Sequence, residues 1–252
     1  MSFSSQSHSL STRPEKARVL GIPVHLLSDY LSWLEDRQQQ GKGAHVVTLN
    51  AEMVMLARKN KELASAIAQA DLIIPDGAGV VLSLNLQGKK QQRFPGIELA
   101  GALLERMAKN NPGDILFYGG VPGRAEASAR FWQQHCPELT IHSQHGYLSE
   151  SEQATFTQAL SQQQPQVILV GLGVPRQELW IAQHRHLCPQ AIWIGVGGAF
   201  DIWGGAKRRA PAWFQNNNLE WLYRLYQEPS RWRRMLVLPL FVWASLIHRD
   251  RG

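Results

Sequence analysis

From Ala17 onward the chain alternates short β-branched runs with longer amphipathic stretches, and this alternation restricts the fold more than any other feature. "HVVTL", "DLIIP", "DILFYG", "QVILVGL" and "AIWIGVG" are apolar almost throughout, as strands covered on both faces of a parallel sheet must be. "ARVLGIPV" reads as a preceding strand or hairpin, and "LTIHS" as a further strand. Helical periodicity covers 29–38, 51–70 with a break near Asn60, 78–86, 97–109, 123–135, 150–162 and 175–186. Strand, turn and helix in repetition predict an α/β fold: a Rossmann-like sandwich of mostly parallel strands, helices on both faces and right-handed crossovers.

A chain of 252 residues can hold one large or two small domains. The pattern divides it into a leader (1–16), an α/β catalytic domain (17–215) and a helical C-terminal appendage (216–252). The leader is Ser-rich and lacks the apolar core of a secretory signal, so it reads as disordered. Cys136 and Cys188 are far apart and form no C-x-x-C pair, which favours a reducing cytoplasm. A net charge of +6 points to an anionic partner: nucleic acid, acidic lipid or a nucleotide phosphate.

In an open parallel sheet, ligands bind beyond the carboxyl ends of the strands. Those ends here carry Thr48-Leu49-Asn50, Asp76-Gly77, Gly119-Gly120, Gly171-Leu172-Gly173-Val174-Pro175-Arg176-Gln177-Glu178 and Gly197-Gly198-Ala199-Phe200-Asp201. Glycine turns entering helices offer free N–H groups to a phosphate, and Arg176 can add charge-assisted bonds; a plain strand–helix turn fits equally well. These loops contain neither GK[ST] nor a G-x-G-x-x-G near the first strand, which disfavours a P-loop and a dinucleotide cofactor. Asp76, on a Pro-Asp-Gly turn, can accept a proton from an attacking hydroxyl or can cap the helix that follows. No D-x-D occurs, and His184 and His186 are two apart on a predicted helix, facing different directions, so no metal site is expected.

The tail raises its own question. Met235–Ile247 is apolar but short and contains Pro239, whereas a bilayer span needs about twenty residues. Upstream, Trp221, Leu222, Leu225, Tyr226 and Trp232 alternate with Arg224, Arg231, Arg233 and Arg234. That mixture suits a membrane surface, arginines at lipid phosphate and the apolar face in the acyl boundary. The competing reading is a helical hairpin packed on the sandwich or on another subunit, which leaves room for a homo-oligomer. Nucleic acid is not expected, because phosphate readers have no use for "MLVLPLF".

Six motifs in order, "TLNAE", "PDGAGVV", "RFPGIEL", "GLGVPRQE", "GVGGAFDIWGGAKRRAPAW" and "LEWLYRLYQEPSRWRR", carry a resemblance. From about Leu20 to Arg234 the chain resembles the WecG/TagA/CpsF glycosyltransferases. The resemblance implies inverting, metal-independent transfer of an N-acetylmannosamine-type sugar, without a cofactor. It implies a UDP-sugar donor and a polyprenyl-pyrophosphate-linked N-acetylglucosamine acceptor, at the cytoplasmic face of the cell membrane during envelope polysaccharide synthesis. It implies Asp76 as the base, with Thr48 and Asn50 beside it. Gln177 and Glu178 of "GLGVPRQE" would lie at the sugar or nucleotide, and Asp201 in the same cleft. Arg224, Arg231 and Arg234 would complete the site from the appendage.

Glycines 77, 119, 120, 171, 173 and 198, with Pro175 and Arg176, are the accompanying candidates for substrate binding. Glu98 stands where the family usually has Asp, Leu148 where Phe is common and Asn218 where glycine usually precedes "LEWLYR". Arg93 is the candidate that would meet an acidic donor sugar. The alternative to an enzyme is a non-catalytic membrane-surface protein that retains a nucleotide-sugar pocket.

Overall fold

The computed structural model describes residues 14–247, apart from the side chains of Arg231 and Arg233. Of the expected leader, residues 1–13 lie outside the described residues, while Glu15 and Lys16 already belong to a strand. β1 (Glu15–Val19) and β2 (Ile22–Leu26) form an antiparallel hairpin. Leu20 and Gly21 make its two-residue turn, both at positive φ, as a twisted hairpin requires.

Then follow α1 (Tyr30–Gln39), β3 (Ala44–Leu49), α2 (Ala51–Ala57), α3 (Lys61–Ala68), β4 (Leu72–Pro75), α4 (Ala78–Leu86) and α5 (Gly96–Asn110). The second half contains β5 (Asp114–Gly119), α6 (Arg124–His135), β6 (Thr140–Gln144), α7 (Glu150–Gln163), β7 (Val167–Gly171), α8 (Arg176–His184), β8 (Ile192–Gly195) and α9 (Ala199–Trp203). α10 (Ala212–Asn216) leads into the appendage, which carries α11 (Glu220–Gln227), α12 (Trp232–Met235) and α13 (Val237–Ile247).

β3 to β8 form one parallel sheet in the order β4-β3-β8-β7-β5-β6. The α/β expectation therefore holds. Local chemistry explains the helix boundaries. The Asn60 side chain accepts the N–H of Leu63 and starts α3 where the sequence suggested a break. Asn50 does the same for α2 through Met53, and Ser149 with Glu152 forms a capping box on α7.

Alternate strand residues feed opposite faces. Val46, Ile74, Ile115, Leu169 and Ile194 join α1, α5 and α6 in one continuous apolar layer. On the other face the core divides: Val47, Leu49 and Ile73 pack with α2, α3 and α4, while Leu116, Ile168 and Trp193 pack under α7 and α8. Between these two clusters lies a buried polar pair, His45 Nε2 and Glu178 Oε2, 3.1 Å apart.

The hairpin lies beside β4, and its His25 Nδ1 accepts the backbone N–H of Ile73 at 2.9 Å. A polar group on the free edge of β4 is thereby satisfied and closed to foreign strands.

The tail packs on the body along one side and leaves apolar residues exposed on the other. α13 has eleven residues, and no helix among the described residues is long and apolar enough to cross a membrane. Pro239 falls in its first turn, where a missing N–H costs nothing. Phe241 is fully buried against Gly79 and the α2–α4 core, so one side of α13 is a core helix. Leu240, Trp243 and Ile247 emerge on its opposite side, with Trp243 67% exposed, and Leu236 just before the helix is exposed as well. α11 has no fully buried residue, and Leu222 and Tyr226 face outward, Tyr226 at 82%.

Candidate active site

The carboxyl ends of β3, β4 and β8 open into a cleft that the appendage roofs. Thr48, Asn50, Asp76, Gly77, Gln177 and Gly198 line it from the body. Arg93 lines it from the α4–α5 loop, and Trp221, Arg224, Arg234 and Leu238 from the appendage.

Asp76 sits where β4 leaves the sheet. Its backbone N–H and that of Gly77 both donate to Leu49 O, which closes the β3–β4 ladder and turns the side chain toward the cleft. The alternative in which Asp76 caps the following helix does not hold. The N-cap of α4 is Gly77, with no side-chain bond. The Asp76 carboxylate instead accepts the N–H of Gly96, the first residue of α5, at 2.9 Å. Burial pushes its pKa up to about 6, against the opposing pull of that N–H and of the Arg224 and Arg93 charges.

Thr48 is oriented by the backbone around it. Its hydroxyl donates to Gly195 O at 2.9 Å, tying β3 to β8. Its methyl fills the space beside Gly96, where an added Cβ would come within 2.5 Å. The Asn50 side chain is engaged as the cap of α2, with Oδ1 on the Met53 N–H. Gln177 Oε1 accepts the N–H groups of Gly173 and Gly197, each at 3.2 Å, and so clamps two loops of the cleft.

Arg93 and Arg224 converge on Glu220. Arg93 Nη2 is 2.6 Å from Glu220 Oε2, and Arg224 Nη2 is 3.0 Å from Oε1. Burial raises the Glu220 carboxyl, but the two guanidiniums outweigh it and hold the group below the usual range. At the lip, Arg234 Nε lies 3.5 Å from Glu52 Oε1. The side chain of Arg231 lies outside the described residues.

Other expected site residues stand elsewhere. Gly119, Gly120, Gly171, Gly173, Pro175, Arg176, Glu178 and Asp201 are not among the cleft-lining residues. Gly119 and Gly171 let the exits of β5 and β7 touch: a Cβ on Gly119 would meet the Gly171 backbone at 2.5 Å. Gly120 donates to Gly171 O and accepts from Gly146, so these glycines serve loop packing. Pro175 is the N-cap residue of α8 and follows a cis peptide bond, and Arg176 next to it is exposed. Glu178 points into the core toward His45, and Asp201 is ion-paired with Lys207 and Arg124. Glu98 pairs with Arg209.

Reading the sequence missed Glu220. The one available signal was the i,i+4 spacing of Glu220 and Arg224 on a helix. Among the described residues, no group of three or more His, Cys, Asp or Glu side chains could hold a metal ion.

Chemically, the cleft offers a carboxylate near neutrality beside two arginines and backbone N–H groups. It can remove a proton from a hydroxyl and balance charge that develops on a phosphate. An N-acetylglucosaminyldiphosphoundecaprenol N-acetyl-beta-D-mannosaminyltransferase from Bacillus spizizenii is 37% identical over 225 residues, covering 88% of this chain and 86% of its own. Proteins of the same name from Bacillus subtilis and Staphylococcus aureus (strain MW2) are 32% and 34% identical, covering 87% and 81% of this chain and 86% and 80% of their own. With the glycosyl transferase WecG/TagA/CpsF family matching residues 17–252, the chain belongs to that family.

Proposed function

We propose that this protein transfers an N-acetylmannosamine-type sugar from a UDP donor to polyprenyl-diphosphate-linked N-acetylglucosamine, with inversion, at a membrane surface. The names of its relatives support the acceptor and the sugar. The observation that carries the chemistry is Asp76, raised to about 6 in a cleft it shares with Arg93 and Arg224.

In this reading an acceptor hydroxyl gives its proton to the Asp76 carboxylate while its oxygen bonds to the anomeric carbon. The bond from that carbon to the donor diphosphate breaks on the opposite face, and UDP leaves with the electron pair. Arg224 and Arg93 offset the charge gathering on the diphosphate, and Arg234 stands at the lip to add to them. A carboxyl with a pKa of about 6 is mostly ionised at pH 7 yet basic enough to take the proton, and it returns it to solvent afterwards. Thr48 and Gln177 act by holding the strand ends and loops in register.

The tail supports peripheral docking. The outward faces of α11 and α13 present Leu222, Tyr226, Leu240 and Trp243, and the arginines of the same segment suit an anionic headgroup layer. A protein docked by that surface would have its cleft beside the membrane that carries its acceptor.

The test is a donor screen: purified protein, a panel of UDP-sugars and a short-chain lipid-diphosphate N-acetylglucosamine acceptor, read by product mass. Transfer from a UDP-N-acetylmannosamine-type donor is expected. Donor binding with no product from any donor would instead leave a non-catalytic pocket.

A further inference from the structure

Glu220 takes no part in the reaction just described, yet it organises two groups that do. Its carboxylate joins Arg93 of the body to Arg224 of its own helix at 2.6 and 3.0 Å. Its side chain is only 12% exposed and that of Arg93 14%, whereas ion pairs of this kind usually lie open to solvent. No residue of α11 is fully buried, so this carboxylate is one of the deepest points at which the helix is seated. Two further polar ties, Gln227 Nε2 to Arg208 O and Lys207 to Glu228, lie at its far end.

Among the described residues the charges at the cleft also balance. Asp76 and Glu220 supply two negative groups against the two positive groups Arg93 and Arg224. The remaining charged pair at the cleft, Arg234 of α12 with Glu52 of α2, is neutral as a pair. Without Glu220 the base would face two guanidiniums with no compensating charge, and their field would favour its ionised form and weaken it as a proton acceptor.

We propose, resting on the glycosyl-transfer reading, that Glu220 is a positioning residue: it holds Arg93 and Arg224 as a pair beside Asp76 and offsets their charge. The arginines are then set for a diphosphate without weakening the base. Because no residue of α11 belongs to the apolar cores of the body, removing this contact leaves the folded body intact.

The experiment compares full-length wild type with Glu220→Gln, Glu220→Asp and Arg93→Gln. The Asp76 carboxyl is titrated by carbon NMR in the ligand-free proteins, its signal assigned by loss in Asp76→Asn. Tryptic cleavage after Arg224 is timed in parallel. Glu220→Gln should move the Asp76 midpoint down by about half a unit or more and speed cleavage several-fold, roughly threefold or more. Glu220→Asp, which keeps the charge, should restore most of the midpoint. Arg93→Gln should speed cleavage as Glu220→Gln does, with no further gain in the double variant. The acidic limb of kcat/KM should follow the Asp76 midpoint in each protein that turns over. An unmoved midpoint or unchanged cleavage in Glu220→Gln overturns the proposal. A wild type that transfers no sugar sinks the glycosyl-transfer reading instead, and the titration and cleavage still decide the role of Glu220.

Discussion

Asp76 and Gly96, twenty positions apart, are joined by a 2.9 Å hydrogen bond from the backbone N–H of Gly96 to the Asp76 carboxylate. The base candidate is thus anchored to the first residue of α5, and Gly96 is small because Thr48 fills the space where its Cβ would project. The anchor does not offset burial, since the carboxyl rises from 3.8 to about 6.

A group whose folded pKa is raised contributes stability below its unfolded value and loses that contribution as pH climbs through the folded one. Ionised Asp76 therefore costs the native state up to about 3 kcal/mol above pH 6, and nothing below pH 3.8. Asp76→Asn keeps an acceptor for Gly96 and removes the charge. It should melt higher than wild type at pH 7.5, with the gap closing toward pH 4, while sugar transfer falls by about 10²–10⁴-fold. Thermal scans at the two pH values check the first part, and a lower melting point for the variant at pH 7.5 would contradict it.

A second chain of contacts runs from the core to the cleft. His45 meets Glu178 Oε2, Gln177 Nε2 donates to Glu178 Oε1 at 3.0 Å, and Gln177 Oε1 holds the Gly173 and Gly197 N–H groups. Glu178→Ala would leave a buried imidazole and a buried amide without their acceptor, a loss of about 2–4 kcal/mol by chemical denaturation. Gln177→Ala leaves the core pair in place and should cost only about 1 kcal/mol. It should also speed amide exchange at Gly173 and Gly197 and reduce turnover. Unaltered exchange at both glycines would mean that the loops are held by something else.

These two chains of contacts mark the boundary of what sequence can reveal. The strands were legible because successive residues such as Val46 and Val47 feed opposite apolar layers, which forces an unbroken hydrophobic run. The span 78–86 was legible as a helix to the residue. Asp76 was legible as a strand-end carboxylate, but not its partner, because the fold alone brings the start of α5 over β4.

Strand order is likewise not written in any local pattern. β3, β4 and β8 stand together at one side of the sheet, so the glycines ending β5 pack against the exit of β7 outside the cleft. Gln177 and Glu178 are neighbours in one motif, yet about 100° of helical turn sends the first to the cleft and the second to His45. Glu220 escaped notice because Arg93 lies 127 positions away.

The edge of the sheet makes its own prediction. His25 must stay neutral for its Nδ1 to accept the Ile73 N–H, and burial, with some help from Lys16, lowers its pKa from 6.5 to about 4. A histidine depressed in this way contributes stability above 6.5 that drains away as pH falls toward 4, amounting to about 3 kcal/mol. His25→Gln keeps a side-chain acceptor and cannot titrate. Its stability should be lower than wild type at pH 7 yet decline less between pH 6.5 and 4, as urea midpoints at both pH values would reveal. Parallel declines in the two proteins would assign the acid sensitivity to other groups.

The two sides of α13 should separate stability from membrane docking. Phe241 has no exposed surface and fills the core beside Gly79, so Phe241→Ala should cost about 3–5 kcal/mol and loosen the appendage. Leu236, Leu240 and Trp243 contribute almost nothing to the fold on the opposite side, where each is more than half exposed. Changing all three to Ser should move the melting point little. It should weaken binding to vesicles containing anionic lipid by about 100-fold or more, since each buried Leu or Trp side chain is worth about 1.5–3 kcal/mol at the acyl boundary. Raising salt should weaken wild-type binding through the arginines without abolishing it, because the apolar contribution is not screened. Vesicle flotation of the triple variant at wild-type levels would remove α13 from the docking surface and leave α11 to account for any membrane affinity.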